Sequence, residues 1–313
     1  MSRTYKATGI NLKSMPMGES DRLLTILTQE YGLVQVLAMG SRKHNSSLSG
    51  RSGLFVVNQL LIAKGKTLDK LTQAETIESY PKLGQDLKKL TASQYLAELC
   101  LFQALSEQPQ VELFTLLNQQ LKHLERSPTH LILPYLTCAI FQLLTLEGIA
   151  PQVYQCCMTQ APLLPDMETP NWQAGFSASA GGAITQAALQ QLQQRKSATR
   201  LQADAPAAVP AGRANYTNQS FKRGMPLQRS LSALELALLQ AIAQFDGACE
   251  SLAQTFAASI HPAITLADWL TIEWLLRQYA QYHFDRPIRS AALIDACFGS
   301  PSTGSMSTSS KRF

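Results

Sequence analysis

The amino-acid sequence predicts an α+β protein of several domains, with a small five-stranded β-barrel first and a helical bundle after it. Five short apolar runs, separated by glycine-bearing turns, occupy the first 80 residues, as is typical of a closed or nearly closed barrel. From Pro81 onward the apolar residues recur with helical spacing instead. Residues 1–80 hold ten Lys and Arg against six Asp and Glu, a net +4, whereas residues 81–313 hold seventeen against sixteen, a net +1.

The five runs are rich in the β-branched and other apolar residues that favour strands. The predicted strands are Tyr5–Leu12, Arg22–Thr28, Gly32–Met39, Leu54–Ala63 and Leu68–Ser79. A tight turn at Gln29–Gly32 joins the second strand to the third, and Lys64, Gly65 and Lys66 form the last turn. Five strands with a basic open face are typical of an oligonucleotide-binding (OB) barrel. Fold alone does not establish function.

The segment Gly40–Phe55 links the third and fourth predicted strands and is basic. It holds Arg42, Lys43 and Arg51 with serines between them, and it contains no acid. We expect a mobile loop whose cations contact phosphates, because Lys and Arg release the counterions condensed on a polyanion. A solvated hairpin connection that happens to be basic fits the same residues, and this segment alone leaves both interpretations open.

Three helices with short links predict a bundle after the barrel. They cover Leu87–Ser106, Val111–Leu124 and a third stretch to Leu146, with Ser127 as its N-cap and Pro128 in its first turn. Gly148 then ends the third helix. Further helices are expected at Thr185–Gln194, Leu231–Phe245 (capped by Ser230 or Ser232), Thr265–Phe284 and Arg289–Phe298. The aromatic-rich stretch Thr265–Phe284 is expected to be the central helix of the bundle.

Two segments of the second half show little periodicity. Residues 150–185 are rich in Pro, Gly and Ser, and Arg195–Arg229 carries seven cations against one acid, Asp204. The basic segment is expected to be an exposed linker, with an auxiliary contact to nucleic acid as the alternative. The predicted divisions of the chain are 1–80 (barrel), 81–149 (first helical part), 150–230 (irregular insertion), 231–298 (second helical part) and 299–313 (disordered tail).

The composition indicates a soluble protein of a reducing cytoplasm. Six scattered cysteines suggest no disulfide framework. The N-terminal residues lack the apolar core of a signal peptide. The most apolar run, Leu131–Leu146, is broken by Pro134 and Gln142 and looks too short to span a bilayer. No membrane partner is therefore expected.

No motif for catalysis is present, and we expect no enzyme activity. The sequence lacks G-x-x-x-x-G-K-[ST], G-x-S-x-G and H-E-x-x-H, and its five histidines stand apart from any patterned carboxylates or cysteines. A hydrolase that uses Cys156 or Cys157 as its nucleophile is the remaining enzyme hypothesis, and the lack of a patterned base disfavours it.

The segments 9–28 and 38–55 resemble the RecO family of bacterial recombination mediators. The first contains a Gly18-Glu19-x-Asp21 turn followed by a Leu/Ile/Thr strand. The second is similar to the family's Ala-x-Gly-x-Arg-(Lys/Arg) stretch over sixteen residues without a gap. Its matching positions are Gly40, Arg42, Lys43, Ser46, Leu48, Gly50 and Phe55. A weaker resemblance runs through most of residues 1–298.

This resemblance implies an OB barrel, a helical C-terminal domain and a zinc-knuckle-like insertion between helices. Many family members carry four cysteines in the knuckle, as C-x-x-C twice. Here Cys156 falls on the first ligand position, Thr159 on the second, and Thr185 and Ala188 where the second pair belongs. One thiolate cannot hold a structural zinc ion. We therefore predict a degenerate knuckle without metal, and no other cofactor.

The resemblance also implies a function. Family members bind single- and double-stranded DNA, anneal complementary strands, and with RecR help to load RecA onto DNA coated by the single-stranded-DNA-binding protein SSB. The candidate DNA contacts are Arg42, Lys43, Arg51, Lys64, Lys66, Lys70 and Tyr5. Tyr31 and Phe55 are further stacking candidates, although Phe55 also fits a core position.

Two further expectations concern partners. Arg277 and Arg286 are candidates for contact with the acidic SSB tail, with an arginine packed along the bundle surface as the alternative. The expected location is the cytoplasm, in association with the nucleoid. An OB-fold protein-interaction adaptor without direct DNA binding is the alternative function.

Overall fold

The computed structural model describes residues 4–203, 228–245 and 264–299. These residues form two compact units. The first unit contains the described residues up to 147 together with those from 288 onward, and the second contains the described residues between 148 and 287. The predicted domain boundaries at residues 80, 149, 230 and 298 remain predictions.

The first unit begins with a closed five-stranded barrel, which confirms the OB-like prediction. Its strands follow the order β1-β2-β3-β5-β4. Their bounds are β1 Thr4–Met17, β2 Asp21–Thr28, β3 Gly32–Ala38, β4 Val56–Ala63 and β5 Asp69–Ser79. A bulge between Asn11 and Lys13 lets the long strand β1 bend, so that it pairs with β4 through its first half and with β2 through its second.

Alternating apolar side chains fill the barrel interior. Leu24, Ile26, Val36 and Ile62 are fully buried there, as the period-2 pattern of a strand requires. Leu48, from the connection between β3 and β4, belongs to the same cluster and is 8% exposed. The connection therefore contributes a side chain to the barrel core.

Seven α-helices lie within the described residues. They are α1 Leu87–Gln103, α2 Val111–Arg126, α3 Ile132–Leu146, α4 Gln186–Ala203, α5 Ala233–Gln244, α6 Leu266–Phe284 and α7 Ala291–Phe298. Helices α1, α2, α3 and α7 belong to the first unit. The turn between β2 and β3 meets the α1–α2 connection, where Leu33 N donates to Leu105 O at 2.9 Å. Gly32 allows this approach, because a Cβ there would lie 2.0 Å from the same oxygen.

Two details of the third helix differ from the prediction. Ser127 does not cap α3; its hydroxyl donates to His123 O at the end of α2, and a 3-10 turn, Thr129–Leu131, precedes α3. We expected the run Leu131–Leu146 to be too short to span a bilayer. When the two residues before it are included, residues 129–146 are long and apolar enough to cross a membrane, so that expectation is wrong. Because 67% of it is buried inside the fold, it has the character of a core helix.

The second unit contains a three-stranded antiparallel sheet that the sequence pattern did not predict. Its order is β7-β6-β8, with β6 Gln173–Ser177, β7 Gly182–Thr185 and β8 Gln228–Ser232. Helix α4 packs against it, and Gly175 makes this possible: a Cβ there would lie 2.8 Å from Leu189 Cβ. The strands have only four or five residues, and the third comes from a distant part of the chain.

Helices α5 and α6 of the second unit begin at capping boxes. Ser232 is the cap of α5, paired with Glu235, and Thr265 is the cap of α6, paired with Asp268. The aromatic-rich helix α6, expected at the centre of the bundle, thus lies in a different unit from α1–α3. The prediction of an irregular linker over Arg195–Arg229 is wrong at both ends, because residues 195–203 belong to α4 and residues 228–229 belong to β8. The rest of that segment, residues 204–227, and residues 300–313 of the predicted tail lie outside the described residues.

Candidate nucleic-acid interface

An apolar strip lies on the outer face of β1, β2 and β3. We define the apolar strip as Met15, Met17, Leu23, Leu37 and Met39. Met15 stands opposite Leu23, and Leu23 stands opposite Leu37, so these side chains share one face. The methionines are exposed, with Met15 at 44%, Met17 at 47% and Met39 at 55%. The strip is therefore a solvent-facing surface and not part of the barrel core.

Four cations surround the apolar strip, and we call them the cation ring: Lys13, Arg42, Lys43 and Lys70. Lys13 precedes Met15 by two residues on the same strand face, and Lys70 pairs directly with Leu37. Arg42 Nη1 donates to Gly18 O at 3.0 Å, beside Met17. Hydrogen bonds from Gly40 N and Ser20 Oγ lower the pKa of the Asp21 carboxyl, and the nearby charge of Lys43 adds to their effect. The sequence prediction included three of these cations and missed Lys13, which only the strand register places here.

The connection between β3 and β4 is a folded segment rather than the mobile loop we expected. Its start is fixed to β2, because Asp21 Oδ1 accepts a hydrogen bond from Gly40 N at 2.7 Å. Further along, Arg22 Nη1 donates to Ser52 Oγ at 2.7 Å, and Leu48 is buried in the barrel. Turns and a short 3-10 helix, Gly50–Ser52, fill the rest. The cations Arg42 and Lys43 are therefore held on a defined backbone.

Arg51 lies in a different place from the cation ring. It lines a groove of about 470 Å³ together with Lys6 of β1, Gln59 of β4 and Glu75 of β5. Its Nη1 donates to Ser47 O at 2.9 Å. The structure therefore divides the predicted DNA contacts of this segment between two neighbouring surfaces.

The remaining predicted contacts lie around the turn between β4 and β5. Lys64 and Lys66 are exposed on this turn. The Tyr5 hydroxyl donates to Asp69 Oδ2 at 2.7 Å, and burial together with this contact raises the pKa of Tyr5. The Tyr5 ring packs edge-on against Tyr31, with 4.8 Å between ring centroids. A stacking role for Tyr5 remains a prediction, and it would have to accommodate both of these contacts.

Phe55 belongs to the core. It is 3% exposed and adopts a positive φ of 58° at the start of β4. Its suggested role as a stacking platform is wrong, because a base cannot reach a ring buried to this extent.

Three arginines of the barrel, Arg22, Arg42 and Arg51, donate hydrogen bonds to uncharged acceptors. Arg42 and Arg51 bond backbone carbonyls, and Arg22 bonds a carbonyl and a hydroxyl. Among the described residues, no carboxylate lies within ion-pair distance of these three side chains. Their positive charge is therefore available to an external anion.

The two arginines predicted to contact the SSB tail occupy different environments. Arg277 is 5% exposed inside the second unit, where its Nε donates to Glu273 Oε1 at 3.1 Å. Its guanidinium is thus paired with a buried carboxylate, and the side chain is only 6% exposed. Arg286 is exposed just after α6. The predicted contacts with the tail remain predictions, and burial disfavours Arg277.

The residues at the predicted knuckle do not fit a zinc ion. Cys156 Sγ accepts a hydrogen bond from Thr185 N at 3.3 Å, and Thr159 and Thr185 supply hydroxyls in place of thiols. Burial works to raise the pKa of Cys156, but hydrogen bonds from Thr159, Thr185 and Met158 outweigh it and lower the pKa to about 7. The described residues contain no group of three or more His, Cys, Asp or Glu side chains that could hold a metal. The metal-free knuckle remains our prediction.

Comparison with known proteins identifies the chain's relatives. A family model described as recombination protein O N terminal matches residues 1–80, and one described as recombination protein O C terminal matches residues 84–207. The chain is 51% identical over 302 residues to a protein of Nostoc sp. named DNA repair protein RecO, an alignment that covers 95% of this chain and 97% of that protein.

Two further relatives carry the same name. The protein of Acaryochloris marina is 51% identical over 298 residues, which cover 95% of this chain and 96% of the relative. The protein of Synechococcus elongatus is 40% identical over 297 residues, which cover 94% of this chain and 96% of the relative. The similarity therefore extends over both units and not over the barrel alone.

Proposed function

Because the chain belongs to the RecO family of DNA repair and recombination proteins, we propose that it is a non-catalytic mediator that binds DNA and anneals complementary strands. Both single- and double-stranded DNA are proposed ligands. The barrel is the proposed binding domain, and the outer face of β1, β2 and β3 is the proposed site. This face of a small OB barrel is where such folds bind oligonucleotides.

One observation supports this proposal most directly: the cation ring surrounds an exposed face, and among the described residues no carboxylate lies within ion-pair distance of its four cations, although Lys43 is near Asp21. Cations at the edge of a sheet face attract the phosphates of a strand that crosses it. The charge is also held in place, because the connection that carries Arg42 and Lys43 is fixed to β2 and to the barrel core. Little conformational order must then be gained when DNA binds.

The composition of the apolar strip suits annealing. Proteins that hold single strands tightly stack the bases on aromatic side chains, at about 1–3 kcal/mol per base. The strip has methionine and leucine instead, and no aromatic residue belongs to it. Flexible methionines contact bases without fixing their orientation. A strand held by its phosphates on such a surface keeps its bases free to pair with a complementary strand.

The proposed partners follow from the family. We propose that the protein works with RecR to load RecA onto SSB-coated DNA, and that it contacts the SSB tail, in the cytoplasm and at the nucleoid. The alternative is a protein-interaction adaptor whose barrel contacts another protein and not DNA. The exposed apolar strip supports this alternative too, because such patches also mark protein interfaces.

The experiment compares two triple variants that remove the same amount of charge. The first replaces Arg42, Lys43 and Lys70 with alanine; the control replaces Lys82, Lys88 and Arg126, which lie outside the proposed site. Affinity for single-stranded DNA is measured between about 50 and 200 mM salt. We expect the first variant to lose roughly tenfold or more in affinity, and its salt slope to fall by about 2 because three phosphate contacts are lost.

The adaptor alternative predicts another outcome. If both variants bind DNA as the unmodified protein does, the barrel face is not a DNA site. If both lose affinity equally, only overall charge matters, and the proposed site is wrong.

A further inference from the structure

The groove that contains Arg51 lies on the side of the barrel formed by β1, β4 and β5 and has a volume of about 470 Å³. The apolar strip and the cation ring lie on the outer face of β1, β2 and β3 instead. The polar side chains that line the groove come from Lys6 of β1, Gln59 of β4, Thr72 and Gln73 of β5, and Ser47 and Arg51 of the connection between β3 and β4. The groove is therefore a second polar surface of the barrel, separate from the proposed site.

Strand β1 contributes a lysine to each of the two surfaces because of its bulge. Lys6 is exposed, whereas its neighbour Ala7 belongs to the barrel core. Lys13 is exposed as well, although seven residues separate it from Lys6. In a regular strand, residues an odd number apart face opposite sides of the sheet. The bulge between Asn11 and Lys13 changes the register, so that both lysines face outward, one at the groove and one in the cation ring.

The turn between β4 and β5 extends the positive charge beyond the groove. Lys6 stands opposite Leu61 of β4, and the exposed Lys64 and Lys66 follow three and five residues after Leu61. The stretch from Gln59 in the groove to Lys64 on the turn is about 16 Å long at the rise of a β-strand. An extended ligand that follows β4 would pass Lys6 and then reach both lysines of the turn. We call Lys6, Arg51, Lys64 and Lys66 the groove cations.

The groove cations are not neutralised by ion pairs. In the part of the chain that the structure describes, no carboxylate lies within ion-pair distance of any of them. Arg51 Nη1 donates to Ser47 O, an uncharged acceptor, at 2.9 Å. Two acids are nearby: Glu75 lines the groove, and Asp69 accepts the hydroxyl hydrogen bond of Tyr5 beside the turn. Because the cations outnumber these acids, the groove and its turn attract anions.

The side chains between the charges suit a single nucleic-acid strand. The amides of Gln59 and Gln73 both donate and accept hydrogen bonds, and so do the hydroxyls of Thr72 and Ser47. In nucleic-acid complexes, cations contact phosphates, and amides and hydroxyls also contact sugars and base edges. An acidic protein segment would use the cations but would leave the acceptors of these four side chains without donors.

We propose that the groove binds a second single strand of DNA while the cation ring holds the first. This inference rests on the proposed function, because annealing brings two strands together on one protein. The phosphates of two strands repel each other, and cations that contact only one strand leave the charge of the other in place. A second set of cations on the other side of β1 lowers that repulsion further and raises the local concentration of the incoming strand.

The test follows both surfaces in the full-length protein. A thymidine hexanucleotide, which cannot pair with itself, is titrated while NMR follows the methyl signals of Met15, Met17 and Met39 at the apolar strip and of Leu61 in the groove. The hexanucleotide is near the lower end of the site sizes of OB folds, about 4–16 nucleotides. We expect both groups of signals to shift and to saturate, with two oligonucleotides bound per chain.

A double variant tests the groove cations. Lys6→Gln with Arg51→Gln removes two positive charges, and we expect binding at Leu61 to weaken about tenfold or more because two phosphate contacts are lost. The methionine signals should saturate as in the unmodified protein. Lys82→Gln with Arg126→Gln, which removes one lysine and one arginine outside both surfaces, is the matched control and should change neither group of signals.

Two further measurements sharpen the test. Glu75→Gln removes the acid that lines the groove, and it should strengthen binding at Leu61 because a phosphate no longer meets a negative charge. The rate at which complementary oligonucleotides anneal should fall by about tenfold in the double variant of Lys6 and Arg51. The matched control should anneal them at the unmodified rate.

Three results would overturn the proposal. The first is a Leu61 signal that does not respond to the oligonucleotide. The second is saturation of the Leu61 and methionine signals together at one oligonucleotide per chain, because a single strand would then cover both surfaces. The third is a hexaglutamate peptide that binds at Leu61 more tightly than the oligonucleotide, which would assign the groove to an acidic protein segment.

Failure of this inference can be told apart from failure of the proposed function. If the methionine signals respond and the Leu61 signal does not, the barrel binds one strand and only the second site is wrong. If neither group of signals responds, both the second site and the proposed DNA-binding function are wrong.

Discussion

Arginines in the barrel and arginines in the second unit donate to different kinds of acceptor. Arg42 and Arg51 in the barrel donate to backbone carbonyls, which are neutral. In the second unit, Arg229 pairs with Glu235 at 3.3 Å, and Arg277 pairs with Glu273 inside the protein. A carbonyl orients a guanidinium without cancelling its charge, whereas a carboxylate cancels it. Whether an arginine can bind a ligand therefore depends on the group that accepts its hydrogen bonds, and its position in the sequence does not show this.

This difference separates charges that are available to a ligand from charges that serve the fold. Arg277 was a plausible partner contact by sequence, because it lies within the aromatic-rich helix. Its carboxylate partner lies four residues earlier on the same helix, and both side chains are buried. Arg42, which is exposed, and Arg51, which is partly buried, have no carboxylate partner within ion-pair distance among the described residues and keep their positive charge.

The largest expected effect is on the stability of the second unit. Replacing Arg277 with leucine leaves the Glu273 carboxylate buried without its ion-pair partner, which should destabilise the protein by about 3–5 kcal/mol. Arg42→Ala is the matched variant and should change stability by less than about 0.5 kcal/mol, because only a surface contact is lost. Urea unfolding measures both.

A double variant controls for packing. Arg277→Leu with Glu273→Leu removes both charges, and it should recover much of the lost stability, since replacing a buried ion pair by apolar residues is often neutral. If the double variant is as unstable as the single one, the packing of Arg277 matters and not its charge. If Arg42→Ala destabilises the protein as strongly as Arg277→Leu, the contrast between the two regions fails.

The next effect concerns Leu48, which joins the cationic connection to the barrel core. Leu48→Ala removes a side chain from a packed cluster and should cost about 2–4 kcal/mol of stability. It alters no charge. We also expect weaker binding of single-stranded DNA, because Arg42 and Lys43 would no longer be held on a fixed backbone. The affinity is measured in low salt, at a temperature well below the midpoint of thermal unfolding of the variant. Unchanged DNA affinity in a destabilised Leu48→Ala variant would show that the connection need not be ordered to act.

The barrel was predictable from the sequence because its signals are local. Each strand is a short alternating run, and each turn is marked by glycine or by a charged residue, so the five strands and their order in the chain could be read directly. The sheet of the second unit was not predictable. Its strands are four or five residues long, and β8 pairs with β6 across a long stretch of sequence.

The candidate site was only partly predictable for a related reason. A cluster of cations in one segment is visible in the sequence, and Arg42 and Lys43 were found that way. Lys13 joins them only because of the bulge in β1 and the pairing of β1 with β2, which set the strand face on which its side chain lies. Arg51 leaves the cluster because the connection turns before reaching it.

The smallest expected effect concerns the acid beside the cation ring. Hydrogen bonds from Gly40 N and then from Ser20 Oγ hold the pKa of Asp21 below its ordinary value near 3.8; slight desolvation opposes them, and the charge of Lys43 adds to them. A carboxyl whose pKa is lower in the folded state stabilises the fold above its unfolded pKa. That contribution is lost as the pH falls through the folded value.

Asp21→Asn separates the charge of this side chain from its hydrogen bond. Asparagine keeps an acceptor for Gly40 N but cannot titrate. We expect the unmodified protein to be slightly more stable than the variant at pH 7, and the difference in free energy of unfolding to vanish as the pH falls below 3.8. Urea unfolding at several pH values measures this difference. A difference that stays constant with pH would mean that Asp21 acts through its shape alone, and that the barrel holds its cationic connection by neutral hydrogen bonds throughout.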